Sequence, residues 1–171
     1  MCRLGTMFLQ KLYLNTGNKM KIYLSIQPPE DDLGYTWVPS LAALDSMVQD
    51  SEATSIVVDN FLSSEEIDKV GEMLFKIVKK MRINSEIIFY QQDIDLVCHE
   101  YSRASFNLEA LNQHIFSFPE TKSVFNTDIL CSALDSLNLE ITNKQLNPAN
   151  FQGVVKARRP YNGTNQSTNE V

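Results

Sequence analysis

Hydrophobic residues follow two patterns in this chain: short, nearly continuous runs, and runs with helical spacing. The continuous runs predict strands at 20–26, 55–61, 86–90, 139–146 and 151–158, with a further short strand at 35–38. Apolar positions three and four residues apart predict helices that begin near Ser40, Ser63, Asp93, Asn107 and Thr127. Strands alternating with helices predict a mostly parallel α/β sheet, and the short connection 147–150 predicts a final antiparallel hairpin.

The helix after Ser63 has the strongest sequence signal. Ser63 and Glu66 have the spacing of a capping box, in which each side chain accepts a hydrogen bond from the backbone of the other. Apolar residues then recur at helical spacing as far as Met81, and Lys79 and Lys80 lie where the helix dipole favours cations. These features predict a helix from just after Ser63 to about Met81, followed by the strand 86–90.

The two ends of the chain differ in character from its centre. Residues 1–19 carry three basic residues and no acidic one, and their apolar segment is too short and interrupted for a secretory signal. Residues 161–171 are rich in Asn, Thr and Ser and have almost no apolar side chains. We therefore predict a non-core extension over 1–19, one folded domain over 20–160 and a disordered tail over 161–171.

Composition restricts the partners of the protein. The chain has 171 residues, of which 43% are hydrophobic, enough for one well-buried core. Its 15 basic and 21 acidic residues give a net charge of −6, so there is no strong nucleic-acid signal. No run approaches the roughly 20 apolar residues that span a bilayer. The three widely spaced cysteines suit neither a disulfide framework nor a metal site, which favours a cytoplasmic location and no bound metal.

Polar residues end the most apolar of the predicted strands. Segment 50–62 reads Asp-Ser-Glu-Ala-Thr-Ser-Ile-Val-Val-Asp-Asn-Phe-Leu, so that a nearly continuous apolar run finishes at Asp59 and Asn60. Open α/β sheets bind their ligands beyond the carboxyl ends of the strands. Asp59 and Asn60 are therefore candidate ligand contacts, although the same two residues would also end a strand and begin a turn.

The order of these segments resembles that of class I S-adenosylmethionine-dependent methyltransferases. Segment 50–62 is similar to the acidic loop and fourth strand of that family, 79–90 to its basic turn and fifth strand, and 139–158 to its sixth and seventh strands. The similarity covers about 20–160 and is greatest to small divergent members from bacteriophages and environmental bacteria. It implies a Rossmann-like, three-layer, mostly parallel sheet with an antiparallel C-terminal hairpin.

The chain departs from this family at several motif positions. The glycine-rich turn after the first strand is replaced by 25–29, Ser-Ile-Gln-Pro-Pro, in which neither proline has an amide donor. The family's acidic residue at the end of the second strand is missing, since 37–39 reads Trp-Val-Pro and the nearest acidic residues, 30–32, precede that strand. The histidine after the fourth strand is also replaced, by serine.

The resemblance nevertheless implies a set of site residues. S-adenosylmethionine is the implied cofactor, with Ser25, Gln27, Asp50, Asp59 and Asn60 as its contacts. Tyr90 and Asp93 would lie near an unidentified methyl acceptor. No catalytic residue is identified, because transfer from a sulfonium depends more on positioning than on acid–base groups.

Three functions remain open from the sequence. The first is methyl transfer by a divergent enzyme, and the second is an inactive methyltransferase-like module with an interaction or regulatory role. The third is an unrelated α/β enzyme that acts on a nucleotide or sugar. Asp93 also suits the first turn of a helix, and Trp37, which could stack on adenine, is better suited to covering the edge of the core. Nothing in the pattern indicates an oligomeric state.

Overall fold

The computed structural model describes residues 20–31, 34–103, 107–116 and 119–161. The strands are β1 (Met20–Leu24), β2 (Thr36–Val38), β3 (Ala53–Asp59), β4 (Met81–Gln92), β5 (Glu140–Asn147) and β6 (Gln152–Arg158). The helices are α1 (Leu41–Met47), α2 (Val70–Lys80), α3 (Ile94–Ser102), α4 (Leu108–Ile115) and α5 (Thr127–Ser136). A 3-10 turn at Leu62–Ser64 follows β3. The predicted extension 1–19 and all but Tyr161 of the predicted tail lie outside the described residues.

The six strands form one mixed sheet in the order β2-β1-β3-β4-β6-β5. Strands β1 to β4 pair in parallel, whereas β6 runs antiparallel to both β4 and β5. This confirms the predicted mostly parallel α/β sheet and its C-terminal hairpin. The parallel pairing brings the carboxyl ends of β1 and β3 side by side, since Leu24 pairs with Val58.

The hydrophobic core joins alternate strand residues to helices α1, α2 and α5. Ile56 and Phe89 from the strands and Leu44, Ile77 and Leu134 from the helices are each at most 1% exposed. Burial of side chains this large contributes roughly 1.5–3 kcal/mol each relative to exposure. A one-residue slip of any strand would turn these side chains out of the core, so the core fixes the register that places the strand ends.

The predicted capping box is wrong. Helix α2 begins at Val70, its N-cap Lys69 makes no side-chain capping hydrogen bond, and Glu66 instead pairs with Lys69 at 2.7 Å. Ser63 lies in the 3-10 turn and is 8% exposed. Its carbonyl accepts hydrogen bonds from the amides of Lys122 at 2.7 Å and Ser123 at 3.2 Å. These tertiary contacts outweigh the local cap and delay the start of the helix.

Strand β4 is longer than predicted and begins where α2 ends. The pattern predicts Met81 as the end of the helix, but Met81 pairs with Ala53 as the first residue of the strand. The register shifts between Ala53 and Ser55, which pairs with Glu86, so the extra residues of β4 form an irregular stretch. Asn84 takes a positive φ of 63° there, a conformation that Asn tolerates better than most residues.

A buried lysine joins the amino-terminal edge of the sheet to the loop before β3. The Lys80 side chain is 8% exposed, and its Nζ lies 3.1 Å from Asp45 Oδ1 and 3.0 Å from Asp50 Oδ1. Lys79 Nζ lies 2.8 Å from the other oxygen of Asp50. Hydrogen bonds from Lys79 and Lys80 lower the pKa of the Asp50 carboxyl below its usual value.

Lys80→Met is expected to lower the free energy of unfolding at pH 7 by about 1–2 kcal/mol. The methionine keeps the buried stem, while the half-exposed partners Asp45 and Asp50 regain water. Because the pKa of Asp50 is lower in the folded state than in the unfolded state, its carboxylate stabilises the fold at pH values above the unfolded-state pKa. This stabilisation disappears as the pH falls through the folded-state pKa. The difference from the wild type should therefore shrink below about pH 4 in urea melts.

The control is Lys76→Met, which removes an exposed i,i+4 pair with Glu72. It should leave the urea midpoint almost unchanged at every pH. A Lys80→Met difference that stayed constant down to about pH 2 would contradict the ion-pair explanation.

None of the helices that the structure describes combines the length and apolarity needed to cross a membrane.

Candidate ligand-binding site

A cavity of about 430 Å³ opens at the carboxyl ends of β1 and β3. This volume lies within the roughly 300–1,000 Å³ of small-molecule and cofactor sites. It is lined by Tyr23, Ser25, Ile26, Gln27, Pro28, Pro29, Glu30, Asp31, Asp59, Asn60, Ser63, Ser64, Glu120 and Thr121. The position agrees with the rule that open α/β sheets bind ligands beyond the carboxyl ends of their strands.

The first wall is the turn that follows β1. Ser25 is 5% exposed, and its hydroxyl donates to the carbonyl of Gln27, which bends the chain toward the two prolines. Its backbone amide donates to Val38 at 3.3 Å, and its carbonyl accepts a hydrogen bond from Trp37 Nε1 at 3.1 Å. Trp37 therefore braces this wall from β2 and is not itself part of the lining.

The second wall is the end of β3. Asp59 Oδ2 accepts a hydrogen bond from the Tyr23 hydroxyl at 2.6 Å, and Oδ1 accepts one from Asn60 Nδ2 at 3.0 Å. Asn60 has a positive φ of 46°, and its Oδ1 accepts from the Gln92 amide at 3.0 Å. Its own amide donates to the Tyr90 carbonyl at 2.8 Å. Asp59 is thus held by donors from β1 and from the residue after β3.

The third wall comes from the turn after β3 and the loop before α5. Ser63 and Ser64 belong to the 3-10 turn, and Ser63 is fixed from below by a hydrogen bond from Gln91 Nε2. The amide of Lys122 donates to the Ser63 carbonyl at 2.7 Å. That bond brings the neighbouring residues Glu120 and Thr121 to the cavity.

The lining is acidic. It contains the four carboxylates of Glu30, Asp31, Asp59 and Glu120, and none of the described lining residues is Lys or Arg. Such a site attracts a cation and accepts hydrogen bonds from hydroxyl groups. It repels phosphates, which need basic side chains or clustered backbone amides.

Burial, the hydrogen bond to Asp59 and the charges of Asp59 and Tyr90 raise the pKa of the Tyr23 phenol well above its usual value. Tyr23 therefore remains protonated and acts as a hydrogen-bond donor throughout the physiological range. Its ring packs edge-on against Tyr35, with ring centres 6.5 Å apart. The hydroxyl of Tyr35 lies 3.2 Å from Ser55 Oγ, away from the cavity.

The structure brings together four of the five residues proposed from the sequence as cofactor contacts. Ser25, Gln27, Asp59 and Asn60 all line the cavity. Asp50 does not, because it precedes the first residue of β3 and pairs with Lys79 and Lys80 at the opposite edge of the sheet. Within segment 50–62, Asp50 belongs to the loop before β3, whereas the cavity lies at the other end of that strand.

The two residues proposed for the acceptor side, Tyr90 and Asp93, are not among those that line the cavity. Tyr90 lies beside Asp59 on β4 and supplies the carbonyl that binds the Asn60 amide. Asp93 is 3% exposed and caps α3 through hydrogen bonds from the amides of Asp95 and Leu96. Its other oxygen accepts hydrogen bonds from Thr127, so both oxygens of Asp93 are occupied structurally.

Several lining residues are not identified from the sequence. Tyr23 enters the pattern only as part of the first strand, although its position two residues before Ser25 puts it on the same face of that strand. Glu30 and Asp31 stand out only because they precede β2. Ser63 has the pattern of a helix cap, and Glu120 gives no signal because the loop 116–124 has no periodic pattern.

Comparisons with known proteins bear on the fold. No protein-family model matches the chain, and a search of curated proteins gives no match. Among solved structures, a methyltransferase from Archaeoglobus fulgidus that depends on S-adenosylmethionine matches with a TM-score of 0.53, 13% identity and coverage of 83% of this chain and 86% of that one. A possible histamine N-methyltransferase from Thermotoga maritima matches with a TM-score of 0.55, 10% identity and 82% coverage of each chain.

A third match has a bound product in its site. The 1,6-didemethyltoxoflavin-N1-methyltransferase of Burkholderia thailandensis, solved with S-adenosylhomocysteine, has a TM-score of 0.52 and 11% identity. The match covers 81% of this chain and 60% of that one. Together these matches confirm that the chain has the Rossmann-like fold of class I methyltransferases. At such low identity they establish the fold and not the activity.

Proposed function

We propose that the protein is a divergent methyltransferase that binds S-adenosylmethionine in the cavity beyond β1 and β3. The observation that carries this proposal is the acidic lining: Glu30, Asp31, Asp59 and Glu120 meet there with no Lys or Arg among the described lining residues. S-adenosylmethionine carries a sulfonium, an ammonium and two ribose hydroxyls, which such a lining attracts, and a single carboxylate, so that its net charge is positive. The class I methyltransferase fold of the chain supports the same ligand.

The lining also compensates for the motifs that the sequence lacks. The acidic residue expected at the end of β2 is absent, but Glu30 and Asp31 reach the cavity from the connection between β1 and β2. They would accept hydrogen bonds from ribose hydroxyls. In place of a glycine-rich turn, Ile26, Pro28 and Pro29 give this wall apolar surface suited to an adenine ring.

The residues at the end of β3 would receive the positive end of the cofactor. Each oxygen of Asp59 accepts one protein hydrogen bond and can accept more, so the carboxylate is still able to bind a cationic group. Charge-assisted hydrogen bonds of this kind are about twice as strong as neutral ones. Asp59 would thus determine both the orientation and much of the affinity of the bound cation.

When bound, S-adenosylmethionine would supply the methyl group: a lone pair of the acceptor would bond to the methyl carbon, the C–S electron pair would stay on sulfur, and S-adenosylhomocysteine would leave. The protein would contribute by holding the methyl donor and the acceptor in line. Because binding has already removed their translational freedom, the reaction step itself has a lower entropic barrier. Glu120 and Thr121 bring the loop before α5 to the cavity, and we place the acceptor on that side. Tyr90 and Asp93 are left out of this assignment because of their positions in the structure.

Calorimetric titration of S-adenosylmethionine and S-adenosylhomocysteine into the full chain tests the proposal. We expect micromolar dissociation constants, and a loss of affinity of about tenfold or more in Asp59→Asn, which keeps the shape of the side chain but removes its charge. The matched control is Asp50→Ala, since Asp50 lies at the opposite edge of the sheet. It should leave the dissociation constant within about twofold of the wild type.

Three results would overturn this proposal. Absence of binding at millimolar ligand would favour the inactive, interaction or regulatory module. Equal affinity of the wild type and Asp59→Asn for S-adenosylmethionine would show that the cofactor binds away from Asp59. Tight binding of a nucleoside phosphate instead would favour the third class of α/β enzyme, despite the acidic lining.

A further inference from the structure

We infer that Tyr23 is a positioning residue that holds the Asp59 carboxylate ready for a cationic ligand. This rests on the proposed function for the identity of the ligand, but the Tyr23–Asp59 pair itself is a feature of the ligand-free protein. Tyr23 is not among the residues implied by the resemblance. Its role follows from three features: the direction of its hydrogen bond, the support of its ring and the arrangement of Asp59.

The hydrogen bond between the two side chains has a defined direction. A phenol donates and a carboxylate accepts, so in the 2.6 Å contact the Tyr23 hydroxyl keeps its proton and directs it toward Asp59 Oδ2. The raised pKa of the Tyr23 phenol keeps that proton in place at neutral pH. The Asp59 oxygen that accepts this bond belongs to the carboxylate that would face a cationic group.

The ring of Tyr23 has little freedom to move. It is packed edge-on against Tyr35, whose own hydroxyl lies 3.2 Å from Ser55 Oγ and whose ring lies 5.4 Å from the Lys21 ammonium. Edge-on aromatic pairs are favourable by roughly 0.5–1.5 kcal/mol. The Tyr35 ring, which lies immediately before β2, therefore supports the Tyr23 ring whose hydroxyl donates to Asp59.

The opposite side of Asp59 is equally constrained. Asn60 Nδ2 donates to Asp59 Oδ1 at 3.0 Å, and Asn60 is itself fixed through Gln92 and Tyr90. The carboxylate is thus held between a donor from β1 and a donor braced on β4. Since Tyr23 and Asp59 both line the cavity, the remaining lone pairs of Asp59 are preorganised for a ligand.

The variant Tyr23→Phe removes the hydroxyl and keeps the ring, and Tyr35→Phe is its matched control on the supporting ring. We expect Tyr23→Phe to weaken binding of S-adenosylhomocysteine about tenfold, and Tyr35→Phe to change it less than about twofold. Binding of 5′-methylthioadenosine, which lacks the amino-acid portion and its ammonium, should change little in either variant. A purely structural effect would weaken both ligands alike and would overturn the inference.

A double-mutant cycle tests whether Tyr23 acts through Asp59. If it does, the double variant Tyr23→Phe with Asp59→Asn should bind S-adenosylhomocysteine no more weakly than Asp59→Asn alone. Additive losses would instead show that Tyr23 contacts the ligand independently, which would overturn the positioning role.

Spectrophotometric titration of the tyrosines in the ligand-free protein separates this inference from the proposed function. In the wild type the Tyr23 phenol should ionise at unusually high pH, and this late ionisation should be missing in Tyr23→Phe and shifted downward in Asp59→Asn. If those shifts appear but no adenosyl ligand binds, the pair is real and the methyltransferase proposal fails. If the ligand binds but the titrations of wild type and Asp59→Asn coincide, the inference fails while the proposed function stands.

Discussion

Replacing Gly153 by alanine is expected to lower the free energy of unfolding by about 3 kcal/mol. A Cβ built at this position in β6 would lie 2.1 Å from Thr127 Oγ1 and 3.6 Å from Asp93 Oδ2. The Thr127 hydroxyl cannot simply rotate away, because it donates to buried Asp93 at 2.5 Å. The alanine methyl would therefore either overlap the hydroxyl or break that buried hydrogen bond.

Thermal or urea unfolding of two variants measures this effect. The control is Gly71→Ala in the first turn of α2, where a Cβ would meet nothing within 4 Å. It should stabilise the protein by about 0.4–1 kcal/mol, since alanine loses less backbone entropy than glycine. Equal behaviour of the two alanine variants would contradict the close approach of β6 to α5.

A second background checks that the clash involves the Thr127 hydroxyl. Thr127→Ala removes that group, and the remaining Thr127 Cβ lies 3.4 Å from the position that the new methyl would take. Gly153→Ala should then cost less than about 1 kcal/mol in the Thr127→Ala background. An undiminished loss of about 3 kcal/mol there would place the strain elsewhere in the strand.

Asp93→Ala is expected to cost about 3–4 kcal/mol of unfolding free energy. Asp93 is 3% exposed and Oδ1 accepts the amides of Asp95 at 3.0 Å and Leu96 at 3.1 Å, which caps α3. Oδ2 accepts the amide of Thr127 at 2.8 Å and its hydroxyl. Alanine removes the cap and leaves two buried donors of α5 without an acceptor.

Chemical denaturation of Asp93→Ala, Asp93→Asn and Asp95→Ala gives the comparison. Asp93→Asn keeps the side-chain shape but turns an amide group toward Thr127 or toward the α3 amides, so it should be nearly as destabilised. The exposed Asp95 side chain accepts a hydrogen bond from Asn126 at 2.9 Å, so Asp95→Ala should cost less than about 1 kcal/mol. A loss below about 1 kcal/mol in Asp93→Ala would show that water replaces the carboxylate.

Both variants affect the same junction, in which both oxygens of Asp93 accept hydrogen bonds from within the protein. The backbone amide of Asp93 donates to the Phe151 carbonyl at 2.8 Å, and the backbone amide of Ile94 donates to the Phe125 carbonyl at 2.8 Å. Strand β4, helices α3 and α5 and the C-terminal hairpin therefore meet at Asp93. Acidic residues at the start of a helix serve such junctions as readily as they serve ligands, and only the partners of each oxygen distinguish the two.

Sequence patterns predict the strands and helices well where the signal is hydrophobic. The strands at 139–146 and 151–158 and the helix starts near Asp93 and Asn107 are confirmed within a few residues. The predicted start of α2 is wrong because the capping-box pattern is local, whereas Ser63 is bound by Gln91 and by the amide of Lys122 from distant parts of the chain. The predicted start of β4 is wrong for a similar reason, since pairing with Ala53 extends the strand to Met81.

Some residues of the candidate site could be predicted from the sequence, and others could not. Ser25, Gln27, Asp59 and Asn60 could be predicted because each follows or ends a strand, and the carboxyl ends of parallel strands share one edge. Asp50 could not be excluded from the sequence, because the pattern does not show that a lysine pair holds it at the other edge. Glu120 could not be found at all, since nothing in its loop indicates contact with the turn after β3.

The sequence by itself determined the α/β class, the edge of the sheet at which the candidate site residues gather and the acidic balance of the chain. These properties depend on residue type and on spacing along the chain, and they survive small errors in element boundaries. Only the tertiary structure decided which carboxylates meet, that Tyr23 donates to Asp59, and that Asp93 is a structural junction. Those relations join residues far apart in the chain, and their distances are fixed by packing of the whole core.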